Sequence, residues 1–263
     1  MARTAAWCQR VLGLEPLSPA GESSRLGSAT GGPLVELRER PGLRPVPPRG
    51  LLGLYHYALL LPSRADLGRF LVHLRELGEP FGASDHLFSE AIYLTDPDGI
   101  TVEVYADRPR EQWVYRDGEI VGALDPLDDA DLVRAAGSSR WQGVPADTRM
   151  GHLHFFTADL ATANRFYVEA LGFAVSIRSL PGALFVAAGG YHHHVGLNVW
   201  AASERQADEG DAGLDTWSLV VPSAAARAAL TDRLSASHVA VETGSGPRVA
   251  SDPWGIRVRI MGS

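Results

Sequence analysis

What most constrains the fold of this chain is an internal repeat. The segment GLYHYALLLPSRADLGRFLVHLRELG, residues 53–78, is answered by GLDTWSLVVPSAAARAALTDRLSAS, residues 213–237. Each reads as a strand, a Pro-Ser corner and a helix, and each copy then closes on one phrase, DPDGITVEVY from Asp96 and DPWGIRVRIM from Asp252. Asp-Pro-x-Gly is turn chemistry: it ends one strand and starts another, and the β-branched residues after it favour a strand. A second pair of copies carries a different helix. GHLHFFTADLATANRFYVEALGF, residues 151–173, reads as a strand, an N-cap at Asp159 and a helix ending at Leu171-Gly172. AAWCQRVLGL, residues 5–14, repeats that helix end, with Trp7 and Cys8 at the aromatic positions and Gly13 at the stop. A period of roughly 50 to 60 residues marks a repeat architecture, and the unit is strand-helix-strand-strand-strand.

The expected fold is therefore α+β: four βαβββ modules forming two incomplete β-barrels, with the first strand of module 1 absent. The modules fall at residues 1–48, 51–107, 150–201 and 213–263. Residues 108–149 form a connecting segment whose stretch DPLDDADLVRAAG suggests a short helix or two, and whose Trp113 and Trp141 are expected to dock on the barrels.

Composition removes several function classes. A net charge of −7, with the charges scattered, gives no footprint for nucleic acid or an anionic membrane. No apolar run reaches the roughly 20 residues that span a bilayer, and the N-terminus carries no signal-peptide pattern, so a cytoplasmic protein is expected. The lone cysteine, Cys8, rules out an internal disulfide and a cysteine-rich zinc site. A metal would have to be held by the nine histidines and by carboxylates.

The stretch SDHLFSEAIYLTDPDGITVEVY, residues 84–105, resembles the signature of extradiol catechol dioxygenases within the vicinal oxygen chelate (glyoxalase/bleomycin resistance/extradiol dioxygenase) superfamily. His86, Ile92, Tyr93, Asp96, Pro97, Gly99 and Glu103 take the signature positions in order, and Ser84 is the departure. YADRPREQW after it is similar to bacterial catechol 2,3-dioxygenase-like proteins, and GLYHYALLLP and GGYHHHVGLNVW extend the likeness over nearly the whole chain. In that family two His and one Glu hold a non-haem iron on one face and leave positions for a diol and O2. Residue by residue, the resemblance gives His56, Glu103 and His152 as metal ligands. His152 precedes Asp159 by the interval that separates His56 from Ser63.

Module 4 has Thr216 and Arg259 at the His56 and Glu103 places, so modules 2 and 3 are expected to pair around the metal, with modules 1 and 4 forming a metal-free barrel. His152 must then lie within about 10 Å of Glu103, because ligand atoms sit near 2 Å from a metal. His154, two residues on and on the same strand face, is the competitor for the third place.

The resemblance further implies that Tyr93 hydrogen-bonds near the substrate oxygen and that His86 helps bind or deprotonate the substrate. The acid-base His of the family falls in the YHHHVGLN run, with His193 and His194 both candidates. Taken as a strand, that run would put His192 and His194 on one face and His193 on the other. His73, in a helix, and His238, in a loop, read as solvated.

The implied activity is ring cleavage of a catechol or hydroquinone-type diphenol with Fe(II), or Mn(II) in its place, and O2. The implied partners are that small aromatic diol and O2, with no nucleic acid and no membrane; a homo-oligomer is left open. A glyoxalase-like isomerase or lyase with four protein ligands, and a metal-free protein that sequesters an aromatic drug, share the scaffold and are the rival readings.

Overall fold

The computed structural model describes residues 2–18, 21, 23–242 and 247–262 of the 263-residue chain. The chain divides into two compact units, residues 1–45 with 56–152, and residues 46–55 with 153–263.

In the first unit, helix α1 (Ala2–Trp7) widens into a π-type turn (Cys8–Leu12) and stops at Gly13, whose φ of 71° is the left-handed conformation a helix end favours. Strands β1 (Glu15–Pro16), β2 (Ser23–Gly27) and β3 (Pro33–Arg38) follow as an antiparallel sheet. The next module is complete: β4 (Gly53–Leu60), α2 (Arg64–Leu77), β5 (Gly82–Asp85), β6 (Ser89–Thr95) and β7 (Thr101–Asp107). Its last strand pairs in parallel with its first, and β6 and β5 continue the sheet in antiparallel sense. Alternation divides the sheet's faces. Tyr57, Leu59, Ile92, Leu94, Val102 and Val104 point one way and are buried; α2 packs on β7 and buries Leu67, Phe70, Leu71 and Leu74. His56, Ala58, Tyr93, Glu103 and Tyr105 share the other face.

The module is closed at both ends by its sequence. Ser63 accepts a hydrogen bond from the Asp66 amide and caps α2, and Gly78 ends it at φ 64°. In the Asp-Pro-Asp-Gly turn, Asp96 Oδ1 accepts from the amides of Asp98 and Ile100, each at 2.8 Å. Helix α1 is tied to this module through Trp7 Nε1, which donates to Glu79 Oε1 at 2.8 Å, and Thr4, which hydrogen-bonds Asp98. The connecting segment holds the hairpin β8 (Tyr115–Arg116) and β9 (Glu119–Ile120) and helix α3 (Asp129–Ala136), which packs on α2. Trp141 lies against Phe70 of α2, with ring centroids 5.1 Å apart, and buried Trp113 donates to the Arg108 carbonyl. The first four residues of β10 (Arg149–Phe156) complete the unit.

The second unit repeats the plan. From the rest of β10 the chain enters α4 (Leu160–Asn164), which, like α1, widens into a π-type turn (Arg165–Ala170), and then β11 (Ala174–Ile177), β12 (Ala183–Ala187) and β13 (Val195–Asn198). Strand β14 (Trp217–Val221), α5 (Ala224–Ala236), β15 (Val241–Glu242), β16 (Arg248–Ser251) and β17 (Arg257–Gly262) form the last copy. In each the closing strand again pairs in parallel with the opening one. Asp159 and Ser223 cap their helices as Ser63 does, each seven residues after the positions of His152 and Thr216. Asp252 accepts from the amides of Trp254 and Ile256 as Asp96 does in its own turn. The architecture is thus α+β with a recurring βαβββ order, as expected from the sequence.

The run His192–His194 differs from expectation. It lies in an irregular segment before β13 rather than on the strand, so two-sided alternation does not apply to it. The reason is local: Gly189 and Gly190 take φ values of 63° and 67°, and the backbone re-enters the sheet only at Val195. His73 is half-buried, its Nε2 bonded to the Arg10 carbonyl at 3.1 Å rather than left to solvent. His238 is exposed, at φ 55°.

Candidate metal centre

His56, on β4, pairs in register with Thr101 of β7, and Ala58 pairs with Glu103, so β4 and β7 set His56 and Glu103 side by side on one face. His152, on β10, belongs to the same compact unit. Its Nε2 lies 3.1 Å from Glu103 Oε2, His56 Nε2 lies 3.0 Å from the same oxygen, and the two imidazole nitrogens are 3.3 Å apart. None of the three residues is more than 3% exposed. Among the described residues, these are the His, Cys, Asp and Glu side chains grouped closely enough to hold an ion.

The triangle these atoms make can be tested against a metal. Three bonds of about 2.1 Å meeting at right angles put the ligand atoms about 3.0 Å apart. The observed edges of 3.0, 3.1 and 3.3 Å match one face of an octahedron. As a purely hydrogen-bonded cluster the trio would be crowded, because both imidazoles converge on one carboxylate oxygen and their nitrogens face each other. A divalent cation relieves that crowding, and the donor set fits one. Two imidazoles and a carboxylate on a single face are characteristic of non-haem iron sites.

The electrostatics agree with ligand duty. Burial acts to raise the Glu103 carboxyl, but His152 and His56 outweigh it and hold the group well below the usual carboxylate range. Burial pushes the His56 imidazole down from its ordinary value, against the pull of Glu103. An ionised carboxylate and a neutral imidazole are the states that bind a cation.

Small residues make room for this arrangement. A Cβ on Gly151 would come within 2.0 Å of the Tyr105 hydroxyl, and the Tyr105 ring lies 4.9 Å from the His152 ring. Gly151 thus lets Tyr105 brace the strand that carries His152. In the second unit, register puts Gly196 opposite His154, the place that Glu103 takes opposite Ala58. A Cβ there would come within 2.8 Å of the His154 ring. Module 3 therefore supplies no carboxylate beside its own His152. His154 is buried with its Nε2 2.9 Å from the Asn198 amide nitrogen, in a separate hydrogen bond from the Glu103 cluster.

The other candidates fall into two groups. Tyr93 lies on the Glu103 face, directly paired with Glu103 in the β6–β7 register, with its ring 5.8 Å from that of His56. His86, in the turn between β5 and β6, is half-buried, and its Nε2 is 2.7 Å from the Tyr93 hydroxyl. In the second unit, His193 is buried, with its Nδ1 2.7 Å from that of buried His192. His194 Nδ1 accepts from the Ala188 amide, which puts the proton of its neutral ring on Nε2. Gly151, Tyr105 and Gly196 escape a reading of the sequence that looks only for metal ligands. Their signal is positional: Gly151 directly precedes His152, and Tyr105 lies two residues beyond Glu103 on the same strand face.

Comparison with known proteins supplies the wider context. The chain is 42% identical over 216 residues to catechol-2,3-dioxygenase of Bacillus subtilis (strain 168), a match covering 81% of this chain and 75% of that one. Among solved structures it resembles glyoxalase I from Zea mays (TM-score 0.58, 14% identity, 99% of this chain and 88% of that one). It also resembles the cppA protein from Streptococcus pneumoniae TIGR4 (TM-score 0.57, 12% identity, 100% and 93%). At those identities the two structures speak for the fold alone. No helix among the described residues is long and apolar enough to cross a membrane. The family model described as Glyoxalase/Bleomycin resistance protein/Dioxygenase superfamily matches residues 1–104 and 149–260, and the chain belongs to that superfamily.

Proposed function

We propose that this protein is an extradiol ring-cleaving dioxygenase, acting on a catechol or hydroquinone-type diphenol with Fe(II) and O2. The observation that carries the proposal is the triangle of His56 Nε2, His152 Nε2 and Glu103 Oε2, with edges of 3.0 to 3.3 Å, in a chain similar to a catechol-2,3-dioxygenase. In this reading modules 2 and 3 jointly supply the ion's ligands, since His152 stands on the strand that opens module 3.

When bound, a non-haem Fe(II) ion supplies chelation of the diol oxygens and the redox chemistry with O2. The protein's own residues do the rest. His56, His152 and Glu103, all three buried, would hold the ion. Tyr93 orients a substrate hydroxyl by hydrogen bonding, and His86 backs Tyr93 through the 2.7 Å contact between them. For the acid-base step His193 and His194 both stay candidates: His192 lies 2.7 Å from Nδ1 of the first, and the Ala188 amide donates to Nδ1 of the second.

The proposal is tested by loading the protein anaerobically with Fe(II), admitting O2, and following oxygen consumption with catechol and with methylhydroquinone. Diol-dependent uptake with a ring-opened product, lost in Glu103→Ala, is the expected result; Mn(II) loading in parallel identifies the working metal. A loaded protein that binds diol but consumes no O2 would favour a glyoxalase-like isomerase or lyase, and diol binding without metal would favour sequestration.

A further inference from the structure

The turn that presents His86 is anchored from outside its own hairpin. The Asp85 amide donates to the Asp125 carbonyl at 2.8 Å, and the Asp125 amide returns a bond to the Asp85 carbonyl at 3.0 Å, so the connecting segment pairs with the end of β5. The next contact along that segment falls on the imidazole: His86 Nδ1 lies 2.9 Å from the Ala123 carbonyl. Past His86, Leu87 is held at φ 69°, a conformation that branched and bulky residues avoid. Arg108, just beyond β7, clamps both sides of this strained point. Its guanidinium forms a two-pronged ion pair with the Asp85 carboxylate, one prong at 2.8 Å, and donates to the Leu87 carbonyl at 3.2 Å. Its amide donates to the Phe88 carbonyl at 2.9 Å.

A carbonyl oxygen only accepts. The Ala123 contact therefore requires the His86 proton on Nδ1, and Nε2 of the neutral ring is then a bare acceptor. Tyr93, 2.7 Å from that nitrogen, must donate its hydroxyl proton to it. We infer that Arg108 is a positioning residue: through Asp85 it holds His86 against the Ala123 carbonyl, and this fixes the His86–Tyr93 hydrogen bond in one direction, with the Tyr93 oxygen presented to a bound diol as an acceptor for the substrate's hydroxyl proton. The connecting segment then belongs to the working site through one backbone carbonyl. The consequence for the diol rests on the proposed function; the tautomer and its dependence on Arg108 do not.

The experiment separates the two. Histidine side chains are labelled with 15N, and His86 is assigned by its loss in His86→Gln. The wild type is expected to show the Nδ1–H tautomer at His86. Arg108→Ala is expected to give a mixture of tautomers, and Arg108→Lys, which keeps the charge but not the two-pronged geometry, a smaller change. In iron-loaded protein the same variants should lower kcat on the order of tenfold, with KM nearly unchanged and iron content equal to wild type. Should Arg108→Ala fail to fold, the Lys variant carries both readouts. A His86 that holds the Nε2–H tautomer in the wild type, or the Nδ1–H tautomer unchanged in the folded variants, overturns the inference. Wild-type protein without ring-cleaving activity but with the predicted tautomer response would overturn the proposed function instead.

Discussion

His56 Nε2 and His152 Nε2 stand 3.3 Å apart although 96 residues of chain separate them, and both reach the same oxygen of Glu103. Three buried groups of this kind are costly to assemble unless something gathers their lone pairs. We read that something as a divalent cation.

Removing one ligand should weaken metal retention beyond the 10–100-fold typical of outer partners of metal ligands. Glu103→Ala and His152→Ala are each expected to lose bound iron on desalting, while His154→Ala, whose partner is Asn198, keeps it. Metal analysis of the purified variants is the check.

Gly151→Ala places a methyl group where the Tyr105 hydroxyl now sits. Overpacking at a buried site costs about 1–3 kcal/mol, and here the displaced strand carries His152. Denaturant unfolding should register that loss, and iron affinity should fall with it. Gly82→Ala, whose added Cβ finds Tyr93 no nearer than 3.9 Å, is the control and should stay within about 0.5 kcal/mol.

Burial raises Asp96 from 3.8 to about 6, against the two amides that favour its ionised form, and Asp252 is raised to about 6 in the same way. A carboxyl raised in the folded state binds its proton more tightly there than in the unfolded chain. Stability is therefore lost as pH climbs from about 4 to about 6, and the loss is complete above that. For each group it is at most roughly 3 kcal/mol. Asp96→Asn keeps the Oδ1 acceptor for both amides and removes the charge. It should be more stable than wild type at pH 8 and lose that advantage at pH 4, as measured by urea midpoints across pH.

Glu103 and His56 work in the opposite sense. Both bind protons less readily in the folded protein than in the unfolded chain, so their contribution falls away on acidification, below about 6.5 for His56 and below about 4.5 for Glu103. In the metal-free protein Glu103→Gln should remove the part of this loss that sets in below about pH 4.5, while the His56 part below about 6.5 grows because the pull of Glu103 is gone, as read by the same midpoints.

Much of the fold is legible in the sequence because its signals are local. The cap seven residues after His56, His152 and Thr216, the Asp-Pro-x-Gly turns and the glycine stops at Gly13 and Gly78 each act over a single turn of chain. The pairing of His56 with Glu103 follows from those landmarks, since strand register carries them onto one face. What the sequence leaves open depends on longer contacts. Period-two alternation cannot separate His152 from His154, because both lie on one face of β10; only the approach to Glu103 and the partner Asn198 distinguish them. The His192–His194 run misleads, because two left-handed glycines ahead of it delay entry into β13. The bond from His86 to the Ala123 carbonyl spans 37 residues and involves a backbone atom, which no residue pattern reveals.

The most direct test of the account is an anaerobic Fe(II) titration of the wild type beside His56→Ala, Glu103→Ala and His152→Ala, with bound iron counted per chain. One tightly held iron is expected in the wild type, and loss of that site in each of the three variants. Full retention of iron by His152→Ala, or by any one of them, would contradict it.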